Sequence, residues 1–350
     1  RQPSMMIPVL RPPVSSMASC LVLLMLSACD RPDTASRPTK DTSSLLRQKA
    51  AEITAVLEAT ERQTTNLAAE TRNCYQHLAA NARSSDANQY RLESNGVLHR
   101  PEAVRSDLPA VFVSGAVKVD ETVMLTVRGT EGIDSLLKRI PVENSAVVQA
   151  YFNSWQSHNR IYPPFDVLTQ YPPGMDIPSY NFYYLANDRN NPGRSTVWVK
   201  DPYVDPAGRG WMVSCIAPVH AEGQLQGVCG LDITVESMVR SFDFDRTDHL
   251  RLLVSSDGTV VATGEILIGV LRLPALKNHR YVDTVRSDTF RSADFNLLKS
   301  RSLAIRRMAE SLIVKGQQTT LLQLDDLRWR VSASPVAKLG WHLLEFESRP

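Results

Sequence analysis

The sequence predicts an α+β protein, with one long N-terminal helix followed by two units built on antiparallel sheets. Three observations carry this. Residues 43–82 contain neither Pro nor Gly, and Leu45, Leu46, Ile53, Val56, Leu57, Leu67 and Leu78 fall roughly at helical spacing. Gly210–Val219 and Gly227–Thr234 are rich in β-formers and flank His220–Gln226, a Gly-containing hairpin connection. Leu250–Ser255 and Thr259–Thr263 flank the tight-turn triplet Ser256-Asp257-Gly258, and a helical stretch and three strand-like runs follow.

Taken in order, the helix begins after the capping types Asp41 to Ser44 and runs for about 40 residues, with a break allowed along it. Tyr90–Val97 ends at the turn signal Asn95-Gly96. Thr122–Val127 and Ala146–Phe152 are rich in β-formers and read as strands. Arg160–Phe165 is followed by the Pro-rich loop at Tyr171-Pro172-Pro173-Gly174. Thr196–Lys200 precedes the central hairpin, and Val235–Phe242 reads as a short helix. In the hairpin, Val213, Cys215, Ala217 and Val219 alternate with Met212, Ser214 and Ile216, so the sheet has two differently used faces. Leu297–Val314 reads as helical, and Thr319–Gln323, Arg328–Pro335 and Gly340–Phe346 complete the second sheet.

Composition excludes several classes. With 43% hydrophobic and 22% charged residues, the chain is not a disordered polymer. The net charge is +2, and both surplus cations, Arg1 and Arg11, lie in residues 1–28. The remainder is neutral, which excludes nucleic acid as an expected partner. The long apolar run Met17–Ala28 has only 12 residues, about 18 Å as a helix, too short for a ~30 Å hydrocarbon core. Its cationic flank and small-residue ending follow the layout of a secretory signal. Leu26-Ser27-Ala28-Cys29 resembles the lipobox of bacterial lipoproteins, which implies cleavage before Cys29 and lipid attachment to its thiol. Residues 29–42 read as a flexible tether, rich in Pro, Thr and Asp.

No catalytic or metal motif is present. The seven His residues are scattered, none at i,i+4 from another, and no Cys/His group has zinc spacing. No cofactor is expected. Aromatic density stands out: 13 of the 24 aromatic residues lie between Tyr151 and Trp211, many beside Pro and polar residues. Loop aromatics set around a sheet face predict a lined small-molecule pocket, with core packing as the competing role of each ring.

Several segments together resemble the extracytoplasmic double Cache sensor domain. They are Phe182-Tyr183 followed by Ala186; Val197 to Asp205 (VWVKDPYVD); Ala217-Pro218-Val219 with Gly227 to Ile233 (GVCGLDI); and Tyr162 to Asp166 (YPPFD). Ser255 to Thr259 and Gly340 to Leu343 resemble the corresponding pieces of the membrane-proximal half, so the resemblance covers about residues 43–346. It implies two PAS-like units after the helix: 43–88 as the helix, 89–242 as a membrane-distal, ligand-binding unit, and 243–350 as a membrane-proximal unit. In amino-acid-binding members an Arg two residues before the Trp of a Trp-Tyr pair holds the ligand carboxylate. That Arg position falls on Tyr180 and the Trp position on Phe182, so the clamp is missing. Tyr203 and Asp232 match positions that meet the ligand's amine. Arg160, Arg189 and Arg194 lie near in sequence as substitute anion clamps. Asp232 also reads as a cap for the helix that follows it.

The expected ligand-binding set is therefore Tyr162, Tyr180, Phe182, Tyr183, Trp198, Tyr203 and Asp232, with Cys29 as the lipidation site. The reading is a lipid-anchored, non-catalytic sensor for an amine or amino-acid-like ligand, signalling through a separate protein. A substrate-binding lipoprotein serving a transporter is the alternative, and it would require a parallel central sheet. A periplasmic hydrolase is the third reading, and it would require a cleft joining Asp232 to a nucleophile. Cys215 and Cys229 sit on the two hairpin strands either as buried thiols, the favoured reading, or as a bridge.

Overall fold

The computed structural model describes residues 42–204, 211–244, 246, 250–274 and 292–349. The signal-like run, Cys29, the tether up to residue 41 and Asp205 lie outside the described residues. Among the described residues no helix is long and apolar enough to cross a membrane.

Helix α1 (Thr42–Gln76) is 35 residues long, and α2 (Leu78–Ser84) continues beyond a break at His77. The inward seam of α1 is Leu46, Ala50, Ile53, Leu57, Thr60, Thr64, Leu67, Thr71 and Cys74, all buried, at strictly alternating steps of four and three. Three threonines in that seam return their hydroxyl hydrogens to the helix: Thr60 to Val56 O, Thr64 to Thr60 O and Thr71 to Leu67 O, at 2.8–2.9 Å. This back-bonding lets a polar side chain sit in an apolar interface. The seam packs along strands of both sheets.

The first sheet has eight antiparallel strands: β1 (Arg91–Leu92), β2 (Leu98–His99), β3 (Ala110–Val113), β4 (Gln149–Ser154), β5 (His158–Tyr162), β6 (Val197–Val204), β7 (Trp211–Ala221) and β8 (Gln224–Thr234), in the order β1-β2-β3-β5-β4-β8-β7-β6. The second has five antiparallel strands: β9 (Leu250–Val254), β10 (Val260–Thr263), β11 (Thr319–Leu324), β12 (Leu327–Val336) and β13 (Trp341–Arg349), in the order β10-β9-β13-β12-β11. One apolar cluster joins the α1 seam to both sheets: Ala150, Phe152, Val213, Ala217 and Leu231 of the first, and Leu253, Val336, Trp341 and Leu343 of the second.

Two element readings need correction. Thr122–Val127 is not a strand but part of helix α3 (Glu121–Gly129). Asp120 caps it, its carboxylate accepting from Thr122 N and Val123 N, and Val123, Thr126 and Val127 form its buried stripe. Local capping and the i, i+3, i+4 stripe override the strand propensity of Thr and Val. In Tyr90–Val97 only Arg91–Leu92 is strand; the rest turns at Asn95-Gly96, where Gly96 has φ +84°. The sequence reading also passed over β3 and helix α4 (Asp134–Glu143).

Cys215 and Cys229 are free, buried thiols. A bulge between Val219 and His220 shifts the hairpin register, so Cys215 pairs with Leu231 and Cys229 with Ala217. The two sulfurs therefore lie on a diagonal of the α1 side. There Cys229 Sγ sits 3.2 Å from Thr71 Oγ1. Burial pushes the Cys229 thiol up to about 12, so it stays protonated and unreactive at neutral pH.

Candidate functional site

The face of the first sheet turned away from α1 is covered by the chain between β5 and β6. That segment carries α5 (Val167–Gln170), a 3-10 turn at Ile177–Ser179 and α6 (Asn181–Tyr184). Between sheet and cover lies a cavity of about 330 Å³ of empty space, partly open to solvent. Its walls follow from strand alternation: Gln149, Tyr151 and Asn153 of β4, Asn159 and Ile161 of β5, and Asp232 of β8 all point the same way.

One end of the cavity holds Gln149, Tyr203 and Asp232, all buried or nearly so. The Ser214 hydroxyl donates to Asp232 Oδ1 at 2.5 Å. Its single hydrogen is then used, so the 2.6 Å contact between Ser214 Oγ and Tyr203 Oη is donated by the tyrosine. A phenol oxygen and a carboxylate, both hydrogen-bond acceptors by type, thus stand on the cavity wall. Phe182 stands beside them, its ring 5.9 Å from Tyr203 and 6.1 Å from Tyr151, with Tyr180 stacked behind it at 5.1 Å. Acceptor oxygens framed by aromatic rings make a site for a cation that donates hydrogen bonds.

Met175, Ile161 and Ile177 line the middle of the cavity. There Tyr151 lies across Gly230 of β8, so closely that a Cβ on that glycine would fall 2.2 Å from Tyr151 Cζ. The far end is amide: Asn159 Nδ2 donates to Asn153 Oδ1 at 2.7 Å, and Tyr171 Oη donates to Asn159 Oδ1 at 3.4 Å. Among the described residues, no Lys or Arg lines the cavity.

Of the sequence-predicted set, the structure brings Phe182, Tyr203 and Asp232 together on the cavity. Tyr180 and Tyr183 belong to the apolar cluster of the cover without lining it. Tyr162 and Trp198 lie on the other face. Tyr162 pairs with Ala150 and Trp198 with Cys215, and residues directly opposite in a ladder share a side, here the α1 side. The Tyr162 hydroxyl donates to Asp107 Oδ1 at 2.9 Å instead. Asp232 does not cap α7 (Val235–Ser241); Thr234 does, accepting from Ser237 N at 3.0 Å. Gln149, Tyr151, Asn153, Asn159, Tyr171 and the apolar middle were missed. The available signal was the alternation Gln149-Ala150-Tyr151-Phe152-Asn153, polar on one side of a strand too apolar on the other to be exposed.

None of the proposed substitute clamps reaches the cavity. Arg189 and Arg194 are exposed, and Arg194 pairs with Asp188 at 3.0 Å. Arg160 alternates with Asn159 and Ile161, so it enters the opposite face, fully buried. There Arg160 Nη1 meets Asp134 Oδ1 at 2.6 Å, while Arg100 Nη1 meets Asp134 Oδ2 at 2.9 Å. Both guanidiniums also donate to Tyr90 Oη, at 3.0 and 3.3 Å.

His158 shares that face. It is fully buried, edge-on to Phe152 at 6.0 Å, with no hydrogen-bond partner on either ring nitrogen among the described residues. Burial first, then the nearby Arg160 and Arg100 charges, hold its pKa well below the usual value. The unfolded chain takes up this proton near pH 6.5 while the folded chain refuses it. The associated stability is thus complete above about pH 6.5 and falls, by about 1.4 kcal/mol per unit, as the pH drops toward the depressed value. His342, half-buried, is shifted the same way and shares the window. Urea unfolding at pH 7, 6 and 5 should show this loss in the wild type and a shallower one in His158→Leu; parallel curves would refute the assignment.

No protein-family model matches the chain, and no curated protein matches it. Solved structures do. The ligand-binding domain of the Pseudomonas fluorescens chemoreceptor CtaA in complex with L-serine is 14% identical, covering 88% of this chain and 95% of that one, with a TM-score of 0.52. The same domain with L-isoleucine is 14% identical over 88% of this chain and 91% of that one, at 0.51. With L-alanine it is 15% identical over 88% and 98%, at 0.50. At such identity the likeness concerns the fold, and the long helix with its two antiparallel sheets is the α+β, double Cache architecture of these ligand-binding domains.

Proposed function

We propose that the chain is an extracytoplasmic sensor module that binds a small amine-bearing ligand in the first-sheet cavity and catalyses nothing. Residues 89–242 form the ligand-binding, membrane-distal unit, 243–350 the membrane-proximal one, and a separate signalling protein receives the output. The carrying observation is the relay Tyr203–Ser214–Asp232, which sets a carboxylate and a phenol on the cavity beside an aromatic wall. The L-serine, L-isoleucine and L-alanine bound by the CtaA domain all carry an amine, which supports the same reading. Those ligands also carry a carboxylate, and among the described residues no Lys or Arg lines this cavity to receive one. Amines lacking a carboxylate should therefore bind at least as well as the matching amino acids. Titration calorimetry of both on the wild type and on Asp232→Asn tests this, and binding that survives the substitution unchanged refutes it.

All strand pairs among the described residues are antiparallel, so the parallel sheet that would favour delivery to a transporter has no counterpart there. The anchor rests on Leu26-Ser27-Ala28-Cys29. A single acyl chain holds a protein only marginally, whereas several acyl chains hold it firmly. Cys29→Ala should move the protein from the membrane pellet to the soluble fraction; a variant that still pellets at high salt would exclude lipid attachment at Cys29.

A further inference from the structure

The cavity has a second polar end, and its position and chemistry restrict the ligand further. Asp232 pairs with Gln149, and Asn159 with Asn153, so the two ends are marked by residues 149 and 153 of one strand. Four strand residues span about 13 Å. Allowing a hydrogen bond of about 3 Å at each end leaves about 7 Å for the ligand between its polar atoms. The interval is lined by Tyr151, Ile161 and Phe182, which offer apolar surface to a hydrocarbon spacer.

The far end presents donors. Asn159 uses one N–H on Asn153 Oδ1, and Asn159 Oδ1 is taken by Tyr171. Asn153 donates no side-chain hydrogen bond of its own among the described residues, and it is 1% exposed. An amide nitrogen carries two hydrogens, so Asn153 has both to give and Asn159 has its second. A ligand acceptor is needed there. A carboxylate would be desolvated at an end built of neutral amides, with no counter-ion among the described lining residues, whereas a neutral carbonyl or hydroxyl loses far less on entering.

Resting on the amine-site reading above, we infer that Asn153 and Asn159 form a second subsite for an uncharged hydrogen-bond acceptor. The ligand class is then an amine joined through a short apolar spacer to a carboxamide, carbonyl or hydroxyl group. Specificity comes from charge at one end and its absence at the other.

Calorimetry on the full chain with three probe types at each spacer length from four to six carbons tests this: the ω-amino amide, the alkylamine and the ω-amino acid. The best ω-amino amide should bind about tenfold more tightly than its alkylamine, the worth of one or two net neutral hydrogen bonds. It should also bind more tightly than its ω-amino acid. Asn153→Leu should abolish the amide's advantage over the alkylamine, and a circular-dichroism spectrum like that of the wild type shows that the variant is folded. Asn159→Leu should do the same, and covers the case in which Asn153→Leu does not fold. If alkylamines bind but the amide gains nothing, or the ω-amino acid binds best, the subsite assignment is wrong and the amine site stands. If no amine of the series binds the wild type, both fail.

Discussion

Replacing Asp134 by Ala should destabilise the protein by about 3–5 kcal/mol, the usual result of removing one partner from a buried ion pair. Among the described residues, Asp134 is the one carboxylate bonded to the buried guanidiniums of Arg100, at 4% exposure, and Arg160, at 0%. Neither can lose its proton, so each must keep a charge in the interior once Asp134 is gone. The remaining partners, the carbonyls of Pro109 and Val127 and the Tyr90 hydroxyl, are neutral. The network also ties α3, α4 and β5 together, since Arg160 meets both the C-terminal turn of α3 and the first residue of α4. A contrast fixes the scale. Arg272 and Asp325 form an ion pair of similar length, 2.9 Å, but both are 76% exposed. Breaking it with Asp325→Ala should cost less than about 1 kcal/mol. Urea unfolding should show a large drop in midpoint for Asp134→Ala and almost none for Asp325→Ala, with slopes unchanged. A cost under 1 kcal/mol for Asp134→Ala would mean that water reaches the two arginines.

The same network explains a limit of the sequence reading. Arg160 stands close to the candidate ligand segment in the chain and looked like an anion clamp. Its neighbours Asn159 and Ile161 do face the cavity, and a one-residue step along a strand reverses the face. Which residues of β5 face inward is decided by pairing with β3 and β4, which no local pattern encodes. Tyr162 and Trp198 fell to the same cause. The helix α1 was legible as an element because nothing in it breaks a helix, yet its seam was only half visible. Thr60, Thr64 and Thr71 complete the regular four-three spacing, and a scan for apolar residues passes over them. Asp232 was legible through the resemblance of Gly227 to Ile233 to the double Cache hairpin, helped by its being an acid at a strand end. The neutral amides Gln149, Asn153 and Asn159 send no such signal, since their roles arise only when β4, β5 and β8 are laid side by side.

Asp232→Asn should weaken amine binding by roughly tenfold to a hundredfold, while leaving the unliganded protein at least as stable as the wild type. The first half follows from the strength of a charge-assisted hydrogen bond, about 1.5–3 kcal/mol net where both groups are buried. Asp232 is 3% exposed, so little water screens an ammonium bound there. The second half has the opposite sign for the same reason. Without ligand, the carboxylate is a charge held at 3% exposure, and asparagine removes that charge at constant shape. Asparagine keeps an oxygen in the Oδ1 position, so the Ser214 hydroxyl still has its acceptor and the Tyr203 relay is preserved. A residue serving only the fold would lose stability on replacement, and one serving only a surface would change neither quantity. Calorimetry with the tightest amine and thermal melts of both proteins without ligand read the two halves separately. Weakened binding with an unchanged or raised melting temperature is the signature of a carboxylate kept for its ligand. A lowered melting temperature with unaltered affinity would reassign Asp232 to the framework of the sheet.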